Sequence, residues 1–225
     1  MKTEIRLSIA EKTPFARGME FGTTGPYERI KGRVHFAVDP GEQAYSGITD
    51  LDKAPRNEKG LVDYSTDFLI LKPLELEKGN RRIFFDWGNR GNIRALQFFN
   101  DAVGSNDPQT LEEAGNGFLF RSGYSVVFAG WQGDLLAGNG RFLMDLPVAT
   151  NQGEPITGLV RCEYILEEEG VTTQPLSGWA STRSHPTVSL DTRQATLTRR
   201  QYCLLYTSDA ADEGLGVDLG GRRII

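Results

Sequence analysis

Two polar, glycine-bearing loops carry the residues of this sequence that are best suited to bind a ligand. The first loop follows the apolar run at 83–87, and the second follows the apolar run at 124–129. Glycine lets a backbone approach a ligand closely, while tryptophan, glutamine and aspartate offer a stacking surface and hydrogen-bonding groups. The candidate residues are Gly88, Asn89, Arg90 and Gly91 in the first loop and Trp131, Gln132 and Asp134 in the second.

A strand–helix–strand unit over residues 81–134 is expected to position both loops. Two short runs that are apolar at consecutive positions, with helical sequence between them, predict parallel strands buried on both faces. Asp107 and Pro108 have the residue types of an N-cap and first helical position, so a second helix is expected to begin there. In such sheets ligands bind beyond the carboxyl ends of the strands. The first helix is predicted from the spacing of Ile93, Leu96, Phe99 and Val103.

The segments on either side of this unit are expected to be β-rich. Alternating apolar and polar residues predict half-buried strands, early in the chain and again after the central unit. The later part, about 141–200, is expected to be a β-rich insertion. Early antiparallel strands followed by a parallel unit place the chain in the α/β class. The predicted strands lie at 33–38, 61–71 (one bent strand or two), 160–166, 188–190 and 195–197.

Composition excludes several classes of function. The net charge is −5 and the basic residues are scattered, so nucleic acid is not an expected partner. No apolar run approaches the roughly 20 residues that span a bilayer, so no membrane association is expected. The N-terminal segment lacks the apolar core of a signal peptide, which favours a cytoplasmic location. With two cysteines and two histidines in the chain, no metal site and no cofactor is expected.

The C-terminal stretch at 202–225 differs from the rest of the chain. It has no sustained helical or strand period, and its sequence resembles the conceptual translation of sequencing-adapter DNA. We therefore expect one N-terminal portion of a domain over 1–201 and a non-native, disordered tail over 202–225. The alternative is a genuine disordered tail.

An ordered set of short motifs connects the body of the chain to a known family. Together they resemble the N-terminal part of the large "alpha/beta hydrolase domain" proteins, a branch of the α/β-hydrolase superfamily, over about residues 15–200. The resemblance implies a partial α/β-hydrolase-type sheet and a longer parent with a Ser-His-Asp/Glu mechanism and a small-molecule acyl substrate. The motifs are Gly25-Pro26-Tyr27-Glu28, Asp50-Leu51 with Ala54-Pro55-Arg56-Asn57, Asn89-Arg90-Gly91-Asn92, Gly123-Tyr124 and Gly130-Trp131-Gln132-Gly133-Asp134.

The residues that would perform such chemistry are missing from the sequence. No G-x-S-x-G turn is present, and His35 and His185 are interpreted as a strand-face residue and a loop residue. The chain is therefore expected to be an inactive fragment of an esterase-like serine hydrolase. If the run at 83–87 is the third strand of that fold, the loop at 88–91 supplies backbone N–H groups to an oxyanion hole.

Simpler interpretations of the same residues remain open. Gly88 and Gly91 would then only shape a tight turn, with Arg90 pairing Asp86 or Asp134. Trp131 would cover the end of the sheet. In a different class of function, the chain is a non-catalytic β-rich binding or scaffolding module. A sheet of the hydrolase type that stops partway is also expected to leave an unpaired strand edge and an uncovered apolar face.

Overall fold

The computed structural model describes residues 3–164, 170–174, 176, 181–191, 193, 195–197 and 217–218 of the 225-residue chain. Within these residues the fold is mixed α/β, with a six-stranded, mostly antiparallel sheet and few, short helices. The strands are β1 (Thr3–Pro14), β2 (Tyr27–Val38), β3 (Val62–Pro73), β4 (Ile83–Trp87), β5 (Ser125–Ala129) and β6 (Met144–Asp145). The strand order is β1-β2-β3-β5-β4, with β6 pairing β3.

Three long antiparallel strands form one end of this sheet. β2 pairs with β1 and β3, and β3 is one continuous strand rather than two. The sequence analysis did not predict β1, although its apolar residues Ile5, Leu7 and Ile9 alternate with polar ones. The register of β1 shifts between Ile9 and Glu11, opposite Gly32, where a Cβ atom would lie 2.1 Å from the Ser8 carbonyl oxygen. A glycine is therefore required where β2 passes this β-bulge.

The other end of the sheet contains the predicted parallel pair. β4 and β5 lie side by side in the same direction, with Ile83 opposite Ser125 and Trp87 opposite Ala129. The crossover between them contains three short helices. They are α1 (Ala95–Phe99), α2 (Leu111–Ala114) and α3 (Phe118–Arg121). Outside the crossover, 3₁₀ turns occur at Phe15–Gly18, Gly22–Thr24, Gln43–Tyr45, Leu51–Lys53 and Leu76–Lys78.

The predicted start of the second helix was wrong. α2 is capped by Thr110, whose side chain accepts a hydrogen bond from the Glu113 amide while Glu113 reaches back to the Thr110 amide. This reciprocal pair is a capping box. Asp107 instead forms ion pairs with Arg29 and Lys31 of β2, so its carboxylate stabilises a tertiary contact rather than the helix end.

The main core lies on one face of β3, β5 and β4, under the helices. It contains Leu69, Leu71, Val126 and Phe128 from the strands, with Phe120 from α3 among the residues packed against them. The expectation that β4 is buried on both faces was wrong. Its alternate residues face solvent, because no described element covers that side of the strand. Those residues are Ile83, Phe85 and Trp87, which are 67%, 41% and 71% exposed.

The chain divides into two compact units, Met1–Thr150 and Asn151–Ile225. Of the predicted strand at 160–166, residues 161–162 form a strand and 165–166 lie outside the described residues. Residues 196–197 form a strand within the predicted 195–197, and 188–190 is not a strand. Residues 217–218 of the C-terminal stretch form a strand that pairs with 161–162 on one side and with 196–197 on the other. The rest of 202–225 lies outside the described residues. The short strands are β7 (Thr150–Asn151), β8 (Glu154–Pro155), β9 (Arg161–Cys162), β10 (Thr196–Leu197) and β11 (Val217–Asp218).

Candidate functional site

The two predicted loops meet at the carboxyl end of the parallel pair. The indole Nε1 of Trp131 donates a hydrogen bond to the Gly88 carbonyl oxygen at 2.6 Å. In the other direction, the Arg90 amide donates to Oε1 of Gln132 at 3.0 Å. The loops are adjacent because parallel strands in register end at the same edge of the sheet. Four of the seven candidate residues are therefore joined directly.

The first loop is a tight turn that needs glycine at position 91. The Asn92 amide donates to the Asn89 carbonyl at 3.0 Å, and Gly91 has a φ of +75°. A Cβ atom on Gly91 would lie 2.9 Å from both Arg141 Cβ and the Phe142 carbonyl oxygen. The loop thus combines a left-handed backbone with a close contact, and either condition alone favours glycine.

Asn106, which the sequence analysis did not single out, fixes the end of this loop. Its Oδ1 accepts a hydrogen bond from the Ile93 amide at 3.1 Å. Its Nδ2 donates to Oδ1 of Asn92 at 2.9 Å and to the Asn139 carbonyl at 2.8 Å. A single amide side chain therefore joins three separate turns. No local pattern identifies such a residue, because its partners come together only when the chain closes.

Asp86 positions the helix that follows the loop. One of its oxygens, Oδ2, accepts hydrogen bonds from the Arg94 amide at 2.7 Å and the Ala95 amide at 2.8 Å. These are amides at the start of α1, which have no partner within the helix. The sequence analysis had considered Asp86 as a partner for Arg90. In the structure its carboxylate anchors a helix N-terminus at the end of β4.

The second loop contributes two of its three candidate residues to the joined site. Trp131 is 47% exposed, so it lines the edge of the sheet without being enclosed. Asp134 is exposed and forms no hydrogen bond or ion pair with the described residues, so the structure does not bring it into the site. The loop is held at its base by Thr66, a residue that the sequence analysis missed. Its hydroxyl donates to the Gly130 carbonyl at 2.6 Å.

The arrangement offers backbone donors and an aromatic surface, without an attacking group. His35 lies on β2 and His185 in a loop, and neither imidazole hydrogen-bonds to any residue that the structure describes. Among the residues that the structure describes, no three histidine, cysteine, aspartate or glutamate side chains lie close enough together to hold a metal ion. The site is suited to hold a polar or partly aromatic group against the sheet edge.

Comparisons with protein-family models, with curated proteins and with solved structures found no match to this chain. The family resemblance of the sequence motifs therefore stays a prediction. No helix among the described segments has the length and apolar character needed to cross a bilayer.

Proposed function

We propose that this chain is the N-terminal part of an α/β-hydrolase-type serine hydrolase that cleaves an ester or related acyl bond. In this proposal the loop at 88–91 provides backbone donors for the oxyanion, and residues beyond the described part supply the nucleophile. The observation that carries the proposal is the hydrogen-bonded contact between the loops after β4 and β5, at the edge where ligands bind in parallel sheets.

The outer edge of β4 adds support. Within the described segments no strand pairs with that edge, and its exposed face is apolar. An unpaired edge with an apolar face is the arrangement expected where a further parallel strand would continue the sheet. A nucleophile carried at the end of such a strand would lie next to the loop at 88–91, within reach of the same bound group.

The donors of the loop are not all equivalent. The Arg90 amide already donates to Gln132, so it is not a free oxyanion donor in this structure. The proposal therefore assigns the oxyanion to the amides of Gly88, Asn89 and Gly91, with Trp131 as a wall against the acyl group. Loss of one such donor in a complete enzyme lowers kcat by about 10²-fold or more.

The first test is chemical. The chain as it stands should give no stoichiometric burst of product with p-nitrophenyl acetate, because no described serine is hydrogen-bonded to a histidine. A burst that disappears when one serine of this chain is replaced by alanine would show that the chain holds its own nucleophile. That result would contradict the assignment of the nucleophile to another segment.

The second test is the reading frame of the source transcript beyond residue 200. The proposal expects a G-x-S-x-G turn after an apolar, strand-like run, followed by an acidic residue and a histidine. A transcript that continues without this motif would reject the hydrolase assignment. It would favour the second candidate, a non-catalytic binding module, for which a groove on the antiparallel end of the sheet is the specific supporting observation.

A further inference from the structure

A groove of about 900 Å³ crosses the antiparallel end of the sheet, on residues that the proposed hydrolase chemistry does not use. One cross-strand row forms its floor. Arg6 is opposite His35, His35 is opposite Ser65, and Ser65 is opposite Asp145. Directly paired residues of neighbouring strands project from the same face of a sheet. Four polar side chains therefore lie in one line across β1, β2, β3 and β6.

The Ser65 hydroxyl lines the groove and has a proton available to donate. Its oxygen accepts a hydrogen bond from Nε of Arg33 at 2.9 Å. An oxygen that accepts from an arginine keeps its own proton for another acceptor. The residue is only 7% exposed, so its side chain has little freedom to turn elsewhere. Arg33 is itself held by Asp67, with 3.5 Å between Nη1 and Oδ1.

The carboxylates around the groove already have hydrogen-bond or ion-pair partners. Glu4 accepts two hydrogen bonds from Lys59, at 2.7 and 2.9 Å. Asp63 accepts one from Nδ2 of Asn57 at 2.7 Å. Asp145 lies 3.9 Å from Nη2 of Arg33 and is largely exposed. Lys59 and Arg33 partly offset the charges of Glu4 and Asp145, which reduces their repulsion of an incoming anion, whereas the neutral amide of Asn57 leaves the charge of Asp63 in place.

The basic groups on the floor of the groove have no acidic partner among the described residues. Nη1 of Arg6 donates a hydrogen bond to the Ser8 hydroxyl at 2.9 Å, and this partner carries no negative charge. The His35 imidazole has no hydrogen-bond partner among the residues that the structure describes. Next to His35 on the same face of β2 is Ala37, which also lines the groove.

We propose that this groove binds the phosphate group of a small phosphate monoester, between Arg6, His35 and the hydroxyl of Ser65. Arginine and phosphate form charge-assisted, often bidentate hydrogen bonds, and the imidazole and hydroxyl supply further donors. The body of the ligand lies against Leu146 and Pro147, which line one side of the groove. This binding site is independent of the hydrolase proposal, because none of its residues belongs to the loops after β4 and β5.

The test is calorimetric titration of the whole chain with inorganic phosphate and with phenyl phosphate. Both should bind, phenyl phosphate more tightly because its ring contacts the apolar wall. Arg6→Ala and Ser65→Ala should each weaken binding about tenfold or more, as expected for losing a hydrogen bond to a charged group. Asp145→Asn should strengthen binding, because it removes a negative charge from the end of the row.

Two controls separate a built site from general attraction. Arg82→Ala removes an exposed arginine elsewhere and should leave the affinity unchanged. Arg6→Lys keeps the charge and should retain part of the affinity, and circular dichroism should show that each variant is folded. The proposal is overturned if phosphate does not bind, if Arg82→Ala weakens binding as much as Arg6→Ala, or if acetate binds as tightly as phosphate.

Discussion

The two ends of the central sheet are stabilised in different ways. At the antiparallel end, β1, β2 and β3 are each 12 residues long and pair along nearly their full length, although the edge strand is mostly exposed. At the parallel end, β4 and β5 have five residues each and rely on the helices packed against one face. β1 therefore depends mainly on its backbone pairing with β2, whereas β4 and β5 depend on side chains packed under the helices. β3 does both, because Leu69 and Leu71 belong to the main core.

An aromatic cluster near the helices belongs to the same core as Val126 and Phe128 of β5. The rings of Phe15, Phe21, Tyr27 and Phe120 lie with centroids 4.8–6.2 Å apart. The Tyr27 hydroxyl donates to the carbonyls of Phe120 and Tyr124, at 3.0 and 2.9 Å. Burial raises the pKa of the Tyr27 phenol, which keeps it a neutral donor. Side-chain changes in this region should therefore cost more than changes of similar size on β1.

The largest expected effect is that of Gly115→Ala, between α2 and α3. Gly115 has a φ of +59°, and a Cβ atom there would lie 2.1 Å from the Asn100 carbonyl oxygen. Asn100 is fully buried and its side chain joins Ala114 to Leu119, so the helix pair cannot shift easily. We expect a loss of about 3 kcal/mol or more in the free energy of unfolding, measured by urea denaturation.

The matched control for Gly115→Ala is Gly60→Ala. Gly60 has a φ of +77°, but no atom lies within 4 Å of the position of an added Cβ. This substitution carries only the backbone strain, about 1–2 kcal/mol. Equal losses in the free energy of unfolding would show that close packing around the helices adds nothing to the cost of Gly115→Ala. The proposed difference between the two ends of the sheet would then be wrong.

The parallel end was also the part that the sequence predicted best. Two apolar runs joined by helical sequence have few alternatives to a parallel pair, and this pair fixes both loops at one edge. β1 was missed although Ile5, Leu7 and Ile9 alternate with polar residues as in a strand, and in the structure these three side chains stay more than half exposed. An edge strand of this kind is defined by its long pairing with β2, which a local pattern does not contain.

The candidate site was predictable only as far as strand ends determine it. The contact between Trp131 and Gly88 follows from the parallel pair. The roles of Asn106 and Thr66 do not, because each depends on partners that folding brings from distant turns. Asp107 shows the limit most clearly. Its position before a proline predicted a helix cap, yet two basic side chains of β2 bind it instead.

A smaller effect is expected from Asp107→Asn, which weakens the link between β2 and the crossover. Burial raises the pKa of Asp107, but the hydrogen bond from Lys31 and the charge of Arg29 outweigh it, so the net pKa is lowered. A lowered folded-state pKa means that the carboxylate stabilises the protein above its unfolded pKa of about 3.9 and loses this effect as pH falls. The variant should lose about 1–2 kcal/mol at pH 7.

The pH dependence distinguishes this link from a simple packing defect. The difference in urea midpoint between wild type and Asp107→Asn should begin to shrink as the pH falls below the unfolded-state pKa of about 3.9. It should be lost only below the lowered folded-state pKa, where Asp107 is uncharged in both states. Glu28 and Glu113, whose pKa values are also lowered, keep their own contributions in both proteins. A difference that stays constant over this range would mean that the charge of Asp107 does not stabilise the contact.

The smallest effect on stability is expected at the exposed face of β4, where the comparison of the two ends is most sensitive. Trp87 is 71% exposed and contacts Phe85, with ring centroids 4.8 Å apart. Trp87→Ser should lower the free energy of unfolding by less than about 1 kcal/mol. It should also reduce concentration-dependent self-association in sedimentation velocity, because an exposed apolar face beside an unpaired strand edge promotes association.

Phe84→Ala is the control on the opposite face of the same strand, where Phe84 packs against the core and Phe99. It should destabilise the protein more than Trp87→Ser and leave the exposed apolar face in place. If Trp87→Ser costs as much stability as Phe84→Ala, then β4 is covered on both faces in solution, and burial under the helices is not what holds the parallel end together.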